Sequence, residues 1–143
     1  MDIQAMLAKG FDRSLAGLDI VRVGNGHAEA RLFVSESVQN FFGKLHGGAI
    51  ATLVDDVGTF AIMSADHFRR PGVTTDLHVS CMNAGLSGES VLIKANVVSC
   101  GLKVAFAEVT LTSESRGVAI ARGQMTKLLG SAPADKAQNG GAP

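Results

Sequence analysis

The sequence is short of charge and of aromatic side chains. Charged residues make up 18% of its 143 residues, and 13 basic and 13 acidic side chains cancel to a formal net charge of zero. Such a chain lacks the long-range positive field that attracts nucleic acid or an anionic membrane surface. Trp and Tyr are absent, so the stacking platforms that bind bases are scarce as well. These shortages predict that neither nucleic acid nor a membrane is a partner.

Cysteine and long apolar runs are also scarce. Cys81 and Cys100 are the two cysteines, too few for a disulfide framework or a thiolate zinc site. No run in the sequence approaches the ~18–20 apolar residues that span a bilayer. The first residues lack the features of a signal peptide, and Asp2 and Asp12 count against a mitochondrial transit peptide. We therefore expect a cytoplasmic protein, with the mitochondrial matrix left open for a eukaryotic source.

What the sequence does contain is apolar material for one core. Hydrophobic residues make up 46% of the chain, and its length fits one domain of the usual ~100–150 residues. After Gly130 the composition changes to SAPADKAQNGGAP, which has almost nothing to bury. We expect a single domain over 1–130 and a disordered tail over 131–143. Because charge is sparse, we also expect other subunits to cover part of the surface.

The hydrophobic pattern predicts strands on both sides of one long helix. The run HAEARLFV at 27–34 alternates as a half-buried strand does, and Gly24-Asn25-Gly26 joins it to an earlier β-rich run as a hairpin. From His46 to about Asp66 the apolar residues follow the helical period instead. Six antiparallel strands with one apolar helix predict an α+β fold in which the helix covers one sheet face. The predicted elements are a short helix in the first dozen residues, strands at 18–23 and 27–34, a loop at 35–45, a helix at 46–66, and strands at roughly 73–82, 90–99, 102–114 and 117–129.

The segment His46-Gly47-Gly48 stands where the long helix begins. The first N–H groups of a helix have no intrahelical acceptor, and the helix dipole places partial positive charge there. Glycine lets a ligand approach those groups without a Cβ in the way. The segment is therefore a candidate oxyanion hole for a carbonyl that develops negative charge.

Asp55 is the candidate acid on the same helix. The helical period turns it away from the apolar stripe, and Thr59, four residues on, lies beside it, where its hydroxyl could orient the carboxylate or a water. Asp55 lies about 12 Å along the helix from Gly47, too far for both to act on one carbonyl. A two-fold dimer in which Gly47 of one chain faces Asp55 of the other would remove this difficulty.

These residues carry a resemblance to a known family. The string LHGGAIATLVDD, with Asn40 six residues before the histidine, resembles the helix signature of hotdog-fold acyl-CoA thioesterases of the PaaI-like group. The similarity continues through PGVTTDLHVSCMNAG and VVSCGLKVAFAEVTLTSESRGVAIARGQMTKLLG and covers roughly residues 18–130. It implies a hotdog fold, a six-stranded antiparallel sheet wrapped around one long central helix. It also implies dimers with two active sites, often paired into a homotetramer, and neither a metal nor a cofactor, since coenzyme A is part of the substrate.

The resemblance also implies a role for each matching residue. Gly47 would polarise the thioester carbonyl through its backbone N–H, and Asp55 of the facing chain would act as nucleophile or as base for water. Asn40 and His46 would position the thioester or the water. The expected reaction is hydrolysis of an aryl- or fatty-acyl-CoA to free acid and coenzyme A.

Other matching positions are expected to support the carboxylate and the coenzyme. Thr59 and Thr74 would support the carboxylate of Asp55, although some relatives have Ser in place of Thr74 and some have a histidine near Gln124 or Met125. The remaining expected role is contact with the coenzyme A phosphates. The candidates for it are Lys103, whose position is basic in relatives, and, more loosely, Arg69, Arg70 and Arg116.

Two other functions remain open from the residues. One is a non-catalytic module that binds or senses acyl-CoA in the same cleft, and the other is a hotdog hydratase or dehydratase, whose Asp/His pair we do not find at matching positions. The acyl group is open too, because aromatic and apolar residues could line a pocket for either an aryl or an aliphatic chain. These residues are Phe33, Phe41, Phe42, Phe60 and Met63.

Overall fold

A computed structural model describes residues 2–131. They form an α+β fold in which a six-stranded antiparallel sheet packs against one long helix, as the sequence predicts. A 3₁₀ turn at Gly10–Leu15 follows the first short helix, and another lies at Glu36–Val38. The predicted tail at 131–143 lies, apart from its first residue, outside the described residues. The helices and strands are α1 (Ile3–Leu7), β1 (Asp19–Gly24), β2 (His27–Phe33), α2 (Gly47–Ala65), β3 (Val73–Cys81), β4 (Ser90–Cys100), β5 (Val104–Ser113) and β6 (Ala119–Leu128).

The strands lie in the order β1-β2-β4-β5-β6-β3. The β1–β2 hairpin closes through Asn25 and Gly26, both with positive φ (52° and 79°), the backbone that the tight hairpin turn requires. The last four strands are not in chain order, because β3 pairs with β6 and so forms an edge of the sheet. The long helix thus leads directly into an edge strand.

The predicted alternation decides which side chains face the helix. The inward residues of β2 and β4, such as Leu32 and Ile93, are buried against α2. Lys94, the residue after Ile93 on β4, is exposed. On α2 the predicted stripe is buried as expected. Burial extends further than the stripe, because every residue from Asp56 to Ser64 is buried. The sheet and the N-terminal segment together therefore cover the second half of the helix.

The burial of α2 explains why its composition is so apolar. Contrary to the expectation from sequence, α2 is long and apolar enough to cross a membrane by length and composition, with a mean hydropathy of 1.3 over 18 residues. However, 67% of that window is buried inside the fold. Its hydrophobicity is accounted for by the sheet that surrounds it.

Two sequence expectations differ from the structure. The first dozen residues form two short pieces rather than one helix, because Gly10 has a positive φ of 59° and ends the first piece. The phenylalanines expected to line an acyl pocket are not gathered in this chain, because Phe41 is 97% exposed and Phe42 80% exposed, on the loop before α2. Phe33 faces out from the sheet, and only Phe60 is a core residue.

Candidate active site

The start of α2 is built by His46. Its backbone is extended (φ −64°, ψ 135°) and its Nδ1 accepts a 2.7 Å hydrogen bond from the N–H of Gly48, so His46 is the N-cap of the helix. Gly47 is the first helical residue and is exposed. The N–H of Gly48 is used by the cap, and the N–H of the exposed residue Gly47 is a donor at this end that a ligand can reach. A Cβ on Gly47 would meet nothing within 4 Å, which leaves room for that ligand.

Asn40 holds the loop that leads to the helix. Its Oδ1 accepts hydrogen bonds from the backbone N–H groups of Phe42 (2.9 Å) and Lys44 (3.1 Å). The residue after Lys44, Leu45, forms a β-bridge with Gln39, so the loop returns to its starting point just before His46. Both side-chain bonds use the oxygen of Asn40, so its amide nitrogen is the group it can offer to a ligand.

Asp55 lies eight residues after Gly47 on α2, where the helix passes the edge strand β3. Its side chain is 38% exposed, and Oδ1 accepts a 2.6 Å hydrogen bond from the hydroxyl of Thr74 on β3. The ammonium of Lys127 on β6 is 4.0 Å from the same oxygen. The structure therefore fixes Oδ1 of Asp55 and leaves more than a third of its side chain exposed.

A bulge in β3 brings Thr74 to the helix. The register of β3 with β6 shifts between Thr74 and Asp76, so Thr75 is extra in the strand, and Thr74 pairs with Lys127. Bulges of this kind turn a side chain toward a site at the end of a sheet. Thr74 thus has the contact with Asp55 that the resemblance implies.

Thr59 contacts Asp55 differently from the expectation. Its hydroxyl donates a 2.7 Å hydrogen bond to the backbone carbonyl of Asp55, and not to the carboxylate. This is the ordinary bond of a helical threonine to the residue four positions earlier. Thr59 is buried and stabilises the helix backbone behind the acid.

Sequence reasoning missed two further groups beside Asp55. The side chain of Lys127 is 8% exposed, and Asp56 is buried as well. A signal for Lys127 exists in the sequence, because it shares the inward parity of the buried residues Ala121 and Met125 on β6. A lysine at an inward strand position needs a buried partner.

The three basic residues expected at the coenzyme A phosphates differ in accessibility. Lys103 is exposed in the turn between β4 and β5. Arg116 is ion-paired with Glu89 at 2.7 Å and also donates to the carbonyl of Ala84. Arg70 is buried, and its guanidinium and backbone bind the carboxylate of Asp66.

Arg70 is therefore a correction to the sequence expectation. Its remaining donors bind the backbone carbonyls of Leu102 (2.9 Å) and Gly130 (3.1 Å), so the side chain ties the end of α2 to the β4–β5 turn and the end of β6. Neighbouring Arg69 binds carbonyls at the end of α2. A guanidinium used in this way is not available to a phosphate. Among the described residues, Lys103 is the exposed candidate whose side chain is not bound to a carboxylate or a carbonyl.

A cavity of ≈ 210 Å³ opens beside the start of α2. His46 and Gly48 form one wall, and Phe11 and Leu15 of the first 3₁₀ turn form another. Of the residues expected to line an acyl pocket, none lies here, and Phe60 and Met63 are buried in the core. Apolar surface next to the helix start therefore comes from the N-terminal segment.

Among residues 2–131 no group of three or more His, Cys, Asp or Glu side chains could hold a metal ion. The chemistry that the described side chains offer is that of a carboxylate, an amide N–H at a helix start, and hydroxyl and ammonium groups around the carboxylate.

Comparison with known proteins gives consistent matches. A family model described as the thioesterase superfamily matches residues 42–120, a range that includes Gly47, Asp55 and Thr74. Acyl-coenzyme A thioesterase 13 of Homo sapiens is 37% identical to this chain over 129 residues, 90% of this chain and 91% of that protein.

Solved structures agree with this match. The crystal structure of zebra fish thioesterase superfamily member 2 superposes with a TM-score of 0.86 at 41% identity, and the match covers 90% of this chain and 93% of that one. The corresponding protein from Mus musculus gives a TM-score of 0.82 at 36% identity, covering 90% and 92%. This chain therefore shares the fold of both relatives over about nine tenths of its length.

Proposed function

Because the chain belongs to the thioesterase superfamily, we propose that it hydrolyses acyl-coenzyme A thioesters, with Asp55 and the N–H of Gly47 acting on the thioester carbonyl. Relatives named acyl-coenzyme A thioesterase 13 match 90% of the chain at 37% identity, so the protein is a thioesterase. The assignment of residues below is our proposal. It needs no cofactor beyond the coenzyme A of the substrate.

The observation that carries this assignment is the environment of Asp55. A carboxylate that drives attack on a carbonyl has to be ionised, oriented and open to the substrate. Thr74 orients Oδ1 at 2.6 Å, Lys127 supplies a positive charge at 4.0 Å, and more than a third of the side chain is exposed. Asp55 meets all three requirements, whereas the neighbouring Asp56 is buried.

The proposed reaction follows from these groups. In the base route Asp55 takes a proton from water while the water oxygen bonds to the carbonyl carbon. The carbonyl oxygen becomes an oxyanion, which the N–H of Gly47 stabilises at the helix start. The C–S bond then breaks, and the leaving thiolate takes the proton from Asp55. In the nucleophile route the Asp55 carboxylate bonds to the carbon, and the C–S bond breaks to release the coenzyme A thiolate and leave an anhydride. Water then hydrolyses the anhydride, which restores the Asp55 carboxylate and releases the free acid, and the thiolate takes up the remaining proton.

The two groups come from different subunits in our proposal. Gly47 and Asp55 are separated by eight residues of one helix, about 12 Å. Asp55 contacts Thr74 on β3, and β3 is an edge strand with exposed apolar residues such as Val73 (66%). An open edge strand pairs readily with a second copy. A β3-to-β3 dimer would bring the helix start of one subunit toward Asp55 of the other.

Thiol release from acyl-CoA tests the function. We expect Asp55→Asn and Asp55→Ala to lower kcat by about 10²-fold or more, since general-base or nucleophilic catalysis contributes at least that factor. Glu108→Gln is the matched control, because Glu108 is an exposed carboxylate on the outer sheet face. The panel includes aryl-CoA and straight-chain acyl-CoA esters. Wild-type rates in both Asp55 variants would exclude Asp55, and absence of turnover with every ester would favour a binding module instead.

A further inference from the structure

Asp55 belongs to a group of charged side chains that line one cavity. A cavity of ≈ 170 Å³ between the first 3₁₀ turn, α2 and β6 is lined by Asp12, Asp55, Asp56 and Lys127. The proposed hydrolysis uses Asp55 and Lys127 directly. It leaves Asp12 and Asp56 without a role, although both lie within one cavity of the acid.

Asp56 is the buried member of this group. It is 9% exposed, and its Oδ2 has no hydrogen-bond partner. An ionised carboxylate without a partner is costly in the interior of a protein, whereas a protonated one carries an O–H that it can donate. The carboxyl group of Asp12 lines the same cavity, and a hydrogen bond with it is one of the causes that raise the pKa of Asp56. Two carboxyl groups form a hydrogen bond only when one of them holds a proton.

The charges that face Asp56 come from three elements. Asp12 belongs to the 3₁₀ turn, Asp55 precedes Asp56 on α2, and Lys127 comes from β6. Burial is the largest cause that raises the pKa of Asp56, followed by Asp12 and Asp55, while Lys127 opposes them, and the result is a pKa of about 8. Burial also lowers the pKa of Lys127, whereas the three carboxyl groups raise it and offset part of this effect.

We propose that Asp56 carries a proton at neutral pH, donates it to Asp12, and thereby acts as a positioning residue for Asp55. The proposal rests on the proposed function of Asp55. With Asp56 neutral, the ammonium of Lys127 faces the carboxyl groups of Asp55 and Asp12 without a third negative charge between them. Ionised Asp56 would add that charge beside Asp55 and compete with it for Lys127. The site is then set for catalysis only while Asp56 keeps its proton.

Two substitutions of Asp56 test this arrangement. Asparagine has the shape of the neutral carboxyl and can donate an N–H to Asp12, whereas alanine removes the donor. We expect Asp56→Asn to keep kcat at pH 7 within about threefold of wild type, and Asp56→Ala to lower kcat about tenfold with a smaller change in KM. Wild-type kcat is expected to fall as pH rises through about 8, and Asp56→Asn to lose this alkaline limb. An Asp56→Asn variant as slow as Asp55→Asn, or one with the wild-type limb, overturns the proposal.

The pH dependence of the free energy of unfolding tests, independently of catalysis, whether Asp56 holds a proton in the folded protein. The folded protein keeps the Asp56 proton up to a pH of about 8, and the unfolded chain releases it near the usual Asp value of ~3.9. Wild-type stability therefore falls relative to Asp56→Asn as pH rises between these values. Urea unfolding at pH 5 and pH 8 should show a larger advantage of Asp56→Asn at pH 8, and Glu108→Gln should show no such change. If wild type and Asp56→Asn differ in stability by the same amount at pH 5 and pH 8, Asp56 does not hold the proton and the proposal is overturned. This measurement does not depend on whether the wild type hydrolyses acyl-CoA.

Discussion

Gly123 on β6 packs directly against Val54 on α2. A Cβ placed on Gly123 would lie 2.5 Å from Cγ1 of Val54 and 2.8 Å from its Cγ2. Val54 is fully buried and β-branched, so it cannot rotate away at low cost. The glycine lets helix and strand approach each other one residue before Asp55, and this approach places the acid beside the inward residues of β6.

The first prediction concerns this contact. Gly123→Ala should lower the free energy of unfolding by about 1–3 kcal/mol, the usual cost of overpacking a core. Urea denaturation measures it. Gly24→Ala is the control, because a Cβ on Gly24 meets nothing within 4 Å. Adding Val54→Ala makes room, so the double variant should be more stable than the sum of the two single effects by about 0.5–3 kcal/mol. Strict additivity would contradict the contact.

The second prediction concerns the hydroxyl that binds Asp55. Thr74→Val keeps the shape of the side chain and removes the 2.6 Å hydrogen bond to Oδ1. Hydrogen bonds to charged groups are worth about 1.5–3 kcal/mol. We therefore expect kcat to fall about tenfold or more, since 1.36 kcal/mol corresponds to a factor of ten. Thr74→Ser keeps the hydroxyl and should remain close to wild type. Equal loss in both variants would mean that packing, not the hydrogen bond, matters at this position.

The third prediction concerns Glu89 and the acid stability of the fold. Glu89 accepts hydrogen bonds from Arg116, Ser113 and the backbone of Leu86, and Arg116 is the largest cause that lowers its pKa, to about 2. An acid with a lowered pKa in the folded state stabilises the protein above its unfolded pKa, near 4.3 for Glu, and loses this contribution as the pH falls further.

Glu89→Gln should therefore be less stable than wild type at pH 7, and the difference should shrink between pH 5 and pH 2. Chemical denaturation across this range measures it. Glu36→Gln, at an exposed position, is the control. A difference that does not depend on pH would show that the ion pair with Arg116 is not its source.

The sequence predicts the layout of the fold because each element has its own local pattern. Alternation identifies the strands, and the 3.6-residue spacing identifies α2. The burial of Asp56 and Arg70 depends on which other segments cover them, namely the 3₁₀ turn for Asp56 and the ends of β4 and β6 for Arg70. No local pattern of α2 contains that information. The role of Arg70 as a structural ion pair could therefore only be seen in the folded chain.

The fourth prediction concerns the coenzyme. Lys103 is exposed, and unlike Arg69, Arg70 and Arg116 its side chain is not bound to a carboxylate or a carbonyl among the described residues, so we propose that it binds a phosphate of coenzyme A. Lys103→Ala should raise KM for acyl-CoA about threefold to tenfold and leave kcat unchanged, since the contact is the same in ground state and transition state. Lys94→Ala, an exposed lysine on β4, is the control. The effect should vanish with a short thioester that lacks the nucleotide. An equal rise in KM for the short thioester would exclude a phosphate contact.

The fifth prediction tests whether Gly47 and Asp55 act across a dimer. Gly47→Pro removes the N–H, and the helix tolerates it, because proline is favoured at the first helical position. His46 already has the extended backbone (φ −64°, ψ 135°) that precedes proline. We expect Gly47→Pro to be strongly impaired in kcat. Gly47→Ala keeps the N–H and is the matched control for the added carbon atoms.

Mixing Gly47→Pro with Asp55→Asn subunits then distinguishes the two arrangements. If each site combines Gly47 of one subunit with Asp55 of the other, a mixed dimer contains one intact site and one site with both defects. Random assortment makes half of the dimers mixed, so activity should return to about one quarter of wild type. If both groups of a site belonged to one chain, every site would keep a defect and no activity would return. The two variants are co-expressed so that their subunits mix, and the activity of the mixture is compared with that of each variant expressed alone.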